Sequence, residues 1–144
     1  MGSRVEKALE NHKKGYNCSQ AVACAFADLA GADENLVFAA AEGLGAGMGG
    51  MQSTCGAVSG ACMAAGLLTS SRNTEKPVTK KDTYKLSRMI VQAFEQKNSS
   101  VICKELKGAE TGEVLRSCDG CIEDAAVILE TVLELSGKID TNIQ

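Results

Sequence analysis

The residues best suited to chemistry are seven cysteines: Cys18, Cys24, Cys55, Cys62, Cys103, Cys118 and Cys121. A thiolate is a nucleophile and a metal ligand, and two thiols together give up two electrons on forming a disulfide. Three of the seven directly follow a polar residue suited to cap a helix: Asn17-Cys18, Thr54-Cys55 and Ser117-Cys118. A sulfur there faces the unpaired N–H groups and partial positive charge of a first helical turn, which favour the thiolate. Spacing restricts the local disulfides. Along one helix Cys55 and Cys62 are roughly 10 Å apart and Cys18 and Cys24 roughly 9 Å, whereas a disulfide needs Cα atoms within ~7 Å. Only Cys118-Asp119-Gly120-Cys121 can close locally, as a CxxC pair. It lacks the βαβ setting of thioredoxin-like exchange and the second CxxC of a zinc ribbon. The remaining thiols must find partners through the tertiary fold. There is no Cys-x-x-Cys-His for covalent c-type haem.

The elements that must position these thiols are helices. Residues 3–14 form an amphipathic helix with Val5, Ala8 and Leu9 inward, stopped by Gly15. His12, the single histidine, reads as a surface residue near its end. Asn17 to Ala30 is a second helix, with Asn17 and Gln20 as a capping box. Asp33 starts a third helix, ended by the glycines of 43–50. The fourth runs from Ser53 or Thr54 to Leu68, with Gly56, Ala57, Gly60 and Ala61 permitting close helix approach. A polar loop, 69–77, leads to a fifth helix over Val78 to Lys97, whose buried stripe reads as Tyr84, Met89, Ile90, Ala93 and Phe94. A short helix capped by Ser99 or Ser100 holds Cys103, and a seventh spans Cys121 to Ser136. Residues 138–144 read as a frayed tail. No alternating strand pattern appears. The fold expected over 1–144 is one all-α bundle of about five to seven helices, organised on the segment Gly43 to Leu68.

Composition narrows the function. Aromatic residues are 3% of the chain, without Trp, and the net charge is −3. Both features argue against nucleic-acid binding. The longest largely apolar run, near Thr54 to Leu68, falls short of the ~18 residues of a membrane span. Nothing resembles a signal peptide, so a cytoplasmic, reducing setting is expected, where seven cysteines are not a structural disulfide framework. Gly45-x-Gly47-x-x-Gly50 matches a dinucleotide fingerprint by letter, but neither a preceding strand nor a following acidic residue supports it. Gly45, Gly47, Gly49 and Gly50 are instead a close-approach segment with N–H groups able to cradle an anion or cofactor.

These residues together resemble the family of redox-active proteins named for its C-GCAxxG-C-C cysteine pattern. The resemblance rests on Asn17-Cys18-Ser19-Gln20-Ala21-Val22, the glycines 45–50, Cys55-Gly56-Ala57-Val58-Ser59-Gly60, Cys103 with Glu105-Leu106, and Cys118 ahead of Asp124-Ala125-Ala126. It covers roughly residues 16–133. It implies that Cys18, Cys55, Cys103 and Cys118 are the key thiols and that Cys24, Cys62 and Cys121 are additional. Three readings follow. The first is a thiol/disulfide redox protein working with a partner redox protein, with Cys55 as nucleophile, reachable beside the glycines, and Cys18 or Cys118 as its resolving partner. The second is a metal-binding domain in which Cys18, Cys55, Cys103, Cys118 or Cys121 hold zinc or an iron–sulfur cluster. The third is a helical interaction module. A homodimer is expected through the wide apolar face of the seventh helix.

Overall fold

The computed structural model describes residues 3–139. Seven α-helices carry the fold: α1 (Ser3–Lys13), α2 (Cys18–Ala25), α3 (Glu34–Ala41), α4 (Gly56–Thr69), α5 (Lys80–Asn98), α6 (Cys103–Lys107) and α7 (Cys118–Leu135). Among the described residues the extended structure is one isolated antiparallel bridge, Thr54 to Ile102. The tail expected over 138–144 lies, from residue 140 on, outside the described residues.

The main core joins α1, α2, α4, α5, α6 and α7 through Val5, Val22, Phe26, Val58, Leu86, Ile90, Phe94, Leu106, Ile122, Leu129 and Leu133. Much of the rest is alanine, so the helices must approach closely to exclude water. Gly60 permits the tightest approach. A Cβ there would lie 2.5 Å from the Ser19 carbonyl oxygen, so α2 and α4 cross backbone against backbone. A second, smaller cluster holds Ala23, Cys24, Ala27, Val37 and Ala41 beneath α3.

Local signals fix most ends. The Asn17 side chain accepts from the Gln20 amide at 3.0 Å, and Gln20 returns the bond to the Asn17 amide at 2.9 Å, so α2 begins at Cys18. Asp33 caps α3 by accepting from the Leu36 amide at 3.1 Å. Gly137, at φ +71°, ends the turn after α7.

Four expectations need correction. The second helix ends at Ala25, not Ala30, because Arg4 takes the Ala25 carbonyl at 3.0 Å and grips Asp28 at 2.6 Å. The fourth helix starts at Gly56, because the bridge holds Thr54 extended and leaves Cys55 as N-cap. The seventh starts three residues early, at Cys118, capped by Ser117 on the Gly120 amide at 3.0 Å. On α5 the stripe is Leu86, Ile90, Phe94 and Asn98, whereas Tyr84 is 58% and Met89 37% exposed.

The helix α7 is the central post, buried along Ile122, Ala125, Ala126, Leu129, Val132 and Leu133 against the chain's own helices. A homodimer on this helix would have to use what stays exposed, chiefly Val127 and Leu135. A cavity of about 890 Å³ lies away from the cysteines, between α3, the end of α4 and the start of α5. No described helix is long and apolar enough to cross a membrane.

Candidate functional site

Five of the seven cysteines meet where the N-termini of α2, α4, α6 and α7 come together. The bridge does the first part of the work. Cys55 donates its amide to the Val101 carbonyl at 2.7 Å, and Cys103 donates to the Ser53 carbonyl at 2.9 Å, so the two thiols are carried on paired segments. The glycine run does the second. Ala46, Gly47, Met48 and Gly49 all have positive φ, forming a left-handed turn rather than a continued α3. A non-glycine residue in that region costs about 1–2 kcal/mol, so Ala46 and Met48 store strain beside the thiols. The turn presses inward at Gly47, whose Cβ would fall 2.6 Å from Cys103 Cβ. Gly56 leaves the space filled by the Cys18 sulfur, since a Cβ there would overlap it. The glycines of the CGAxxG box therefore have separate duties: Gly56 admits a thiol and Gly60 admits a helix.

The polar residues around Cys18 are all used to hold it. Asn17 donates to the Glu42 carbonyl at 2.9 Å, and Ser19 Oγ to the Ala41 carbonyl at 2.5 Å. Gln20 Nε2 donates to the Phe38 carbonyl at 3.1 Å. These bonds tie the start of α2 to the end of α3, which leads into the left-handed turn.

At the other side α7 begins beneath a buried carboxylate. Asp124 is 2% exposed and accepts from Lys97 at 2.6 Å, Arg116 Nε at 3.0 Å and Asn98 at 3.1 Å. Burial pushes its carboxyl up, but Arg116, Lys97 and Asn98 outweigh it and hold the carboxyl below the usual range. Arg116 reaches Asp124 across Gly120, where a Cβ would collide with the guanidinium. The glycine inside Cys118-Asp119-Gly120-Cys121 thus lets this network fix the direction of both cysteines. His12 bonds Asp119 at 2.6 Å, joining α1 to the same turn instead of standing alone at its helix end.

A cation, Lys107, lies among the sulfurs. Lys107, half-buried at the end of α6, donates to the Cys118 sulfur, and its charge reaches Cys18, Cys55, Cys103 and Cys121. Burial works against its charge, but the contact with Cys118 and the nearby sulfurs raise its pKa on balance. The sequence carried a signal for it. Lys107 follows Cys103 by four residues, so the two share a helix face.

The Cys55 and Cys121 sulfurs are buried neighbours in one cluster, with the Cys121 thiol donating to the Arg116 carbonyl at 3.9 Å, and the closeness of Cys121 is the largest influence lowering the Cys55 pKa. Burial opposes it, while the amides of Ala57 and Val58 and the charge of Lys107 assist. Cys121 is pushed up by the same contact and by burial. The pair shares one proton, with the anion favoured on Cys55. Cys18 is raised chiefly by burial, against the pull of the Ala46 amide, and Cys103 chiefly by burial, against the pull of Lys107. The Lys107 ammonium and the first-turn amides of α4 together favour the thiolate on Cys55.

Of the residues expected to act, Cys18, Cys55, Cys103 and Cys118 all face this cluster, joined by Cys121, the direct neighbour of Cys55. Cys55 is not reachable as expected, being 3% exposed, because Cys18 fills the space left at Gly56 and Cys103 the space beside Gly47. Cys118 is the exposed thiol of the cluster. Cys24 and Cys62 stay apart as packing residues. Burial pushes Cys24 up to about 11 beside the Glu34 carbonyl, and Cys62 is raised by burial despite Ser87. Gly45 and Gly47 are buried against Asn17 and Cys103, whereas Gly49 and Gly50 are exposed. The Gly49 and Met51 amides bond the Gly45 and Ala46 carbonyls at 2.9 and 2.8 Å, so the turn satisfies part of its own N–H set. Among the described residues no three His, Cys, Asp or Glu side chains are arranged to hold a metal ion. The Lys107 ammonium also takes up the positive-charge position beside the sulfurs.

A family model described as "Putative redox-active protein (C_GCAxxG_C_C)" matches residues 16–132. Neither a curated protein nor a solved structure matches the chain.

Proposed function

This chain belongs to the C_GCAxxG_C_C family of redox-active proteins, and we propose that it works by thiol/disulfide chemistry, with Cys55 and Cys121 as its dithiol. The observation that carries this reading is that Cys55 and Cys121 lie buried together in one cluster, at the starts of α4 and α7. The Cys55 thiolate is the electron-rich sulfur. Its lowered pKa comes from Cys121, the Ala57 and Val58 amides and Lys107. Oxidation joins the two sulfurs, releases the shared proton and passes two electrons to an external acceptor. Reduction by a thiol of a partner redox protein restores the pair.

Cys18 and Cys103 are the neutral wall of this pair. Cys103 is buried and Cys18 half-buried, and burial raises the pKa of both, which disfavours further negative charge there. Seven free thiols suit a reducing compartment such as the cytoplasm. The test starts from protein purified without oxygen and oxidised with one equivalent of diamide. Non-reducing peptide mapping is expected to find a Cys55–Cys121 linkage and the loss of two free thiols. Stoichiometric zinc or iron in the purified protein, with all thiols resisting diamide, would overturn the reading in favour of metal binding.

A further inference from the structure

The working dithiol is buried, yet a dithiol protein must exchange with something outside. Cys55 is 3% and Cys121 1% exposed. Cys118 is exposed, lies one turn before Cys121 on α7, and carries the Lys107 ammonium on its sulfur. Residues three apart on a helix face each other. Their Cα separation of about 5 Å lies inside the range a disulfide spans. Cys121 therefore has two sulfur neighbours, one facing solvent and one inside.

We propose that Cys118 is the surface thiol that exchanges with an external disulfide, and that Cys121 relays the oxidation inward to Cys55. This rests on the Cys55–Cys121 dithiol proposed above. In the first step the Cys118 thiolate attacks one sulfur of the external disulfide. A mixed disulfide forms, and one external thiolate leaves and takes a proton from water. In the second step Cys121 passes its proton to the Cys55 thiolate and attacks the Cys118 sulfur of the mixed disulfide. The Cys118–Cys121 bond forms and the second external thiolate leaves. The external disulfide has now gained two electrons and the CxxC has lost them. In the third step Cys55 gives that proton to the departing external thiolate, and its own thiolate attacks the Cys121 sulfur. The Cys55–Cys121 bond forms, the Cys118–Cys121 bond breaks, and Cys118 leaves as a thiolate. This last step moves no net electrons.

Each step has a group in place for it. Lys107 meets the Cys118 anion both as attacking and as leaving sulfur. Cys55 is packed in the same buried cluster as the sulfur it attacks. The Arg116–Asp124 network holds the first turn of α7, on which Cys118 and Cys121 stand. Cys103 and Cys18 line the interior side, where the pair is shielded from reagents that have not passed Cys118.

The test compares the wild-type chain with Cys118→Ser and Cys121→Ser, each confirmed folded by circular dichroism. Reduced protein is exposed to oxidised glutathione in one arm and to insulin, a protein disulfide, in the other. In whichever arm the wild type exchanges, Cys118→Ser is expected to slow the exchange by at least about tenfold. Cys121→Ser is expected to accumulate a mixed disulfide on Cys118, seen by peptide mass spectrometry. Diamide, which is small and needs no relay, is expected still to form the Cys55–Cys121 disulfide in Cys118→Ser. Exchange by Cys118→Ser at the wild-type rate would sink the relay while leaving the interior dithiol intact. Failure of diamide to link Cys55 and Cys121 in the wild type would instead sink the dithiol reading, and the relay with it. The relative rates in the two arms show whether a small or a protein disulfide is the preferred source.

Discussion

At the scale of single residues, the acidity of Cys55 depends on a neighbour more than on its own helix. Cys121 contributes the largest lowering, ahead of the amides of Ala57 and Val58, and Lys107 comes last. Cys121→Ala is therefore expected to raise the Cys55 pKa, moving the first thiolate absorbance step to higher pH. Lys107→Met is expected to move the same step upward by a smaller amount. An unmoved step in Cys121→Ala would show that the helix end alone sets the acidity. Folding stability carries the same signature. The folded Cys55 pKa lies below its unfolded value of 9.0. Between those two values the unfolded chain holds a proton that the folded chain has released, so stability rises with pH there. It falls again above pH 9.0, where buried Cys121 and Cys24 retain protons that the unfolded chain loses. The wild type minus Cys55→Ser stability difference, followed by urea unfolding, is expected to grow with pH through that window. Its slope for one proton is at most about 1.4 kcal/mol per pH unit.

At the scale of elements, the helix contacts distinguish glycines that look alike in sequence. Gly60 and Gly66 both lie within α4. At Gly60 an added Cβ meets the α2 backbone at 2.5 Å, and neither backbone has a flexible end to yield. Gly60→Ala gains roughly 1 kcal/mol in helix propensity and loses about 1–3 kcal/mol to overpacking, with separation of two helices at the upper end. A net destabilisation is expected in urea melts. At Gly66 the nearest atom is the Thr83 methyl at 3.8 Å, an ordinary contact. Gly66→Ala is expected to stabilise by about 0.5–1 kcal/mol. Equal effects at the two sites would contradict the crossing of α2 on α4. The turn leading into α7 depends on a charge instead. Asp124→Ala removes the acceptor from two cations and an amide and is expected to cost about 3 kcal/mol. Because the folded carboxyl titrates below its usual range, its contribution is complete above the unfolded pKa and is lost as pH falls through the folded one. The difference between wild type and Asp124→Ala should therefore shrink in acid.

At the scale of the whole molecule, a Cys55–Cys121 bond would staple the start of α4 to the start of α7. These elements are far apart in the chain, so closing that loop removes freedom mainly from the unfolded state, by about 4 kcal/mol on the chain-entropy account. The diamide-oxidised protein is expected to unfold at higher urea than the reduced protein. A lower midpoint would mean that the bond strains the cluster. The cavity of about 890 Å³ stands outside this chemistry. It is lined by residues such as Leu36, Met63, Leu67 and Tyr84 and contains no cysteine.

Helix content was legible in the sequence because it is written locally. Asn17 with Gln20, Asp33, Ser117, Gly15 and Gly137 act on their own neighbours, and the elements they bound follow. The cysteine pattern and the CGAxxG box likewise identified the family without coordinates. The start of α7 was misplaced although its signal, Ser117, is local, whereas the other errors arose where a distant group overrode a local signal. Arg4 shortened α2, the Thr54–Ile102 bridge delayed α4, and Leu86 replaced Tyr84 in the α5 stripe. The site was hidden more deeply. That Cys121 lies beside Cys55, that Lys107 stands among five thiols and that Cys118 is the most exposed of them are relations set by the packing of separate segments. The sequence determined which groups were present and which helices carry them. The tertiary packing decided which sulfur meets which, because that depends on glycines whose missing side chains matter only once another helix arrives.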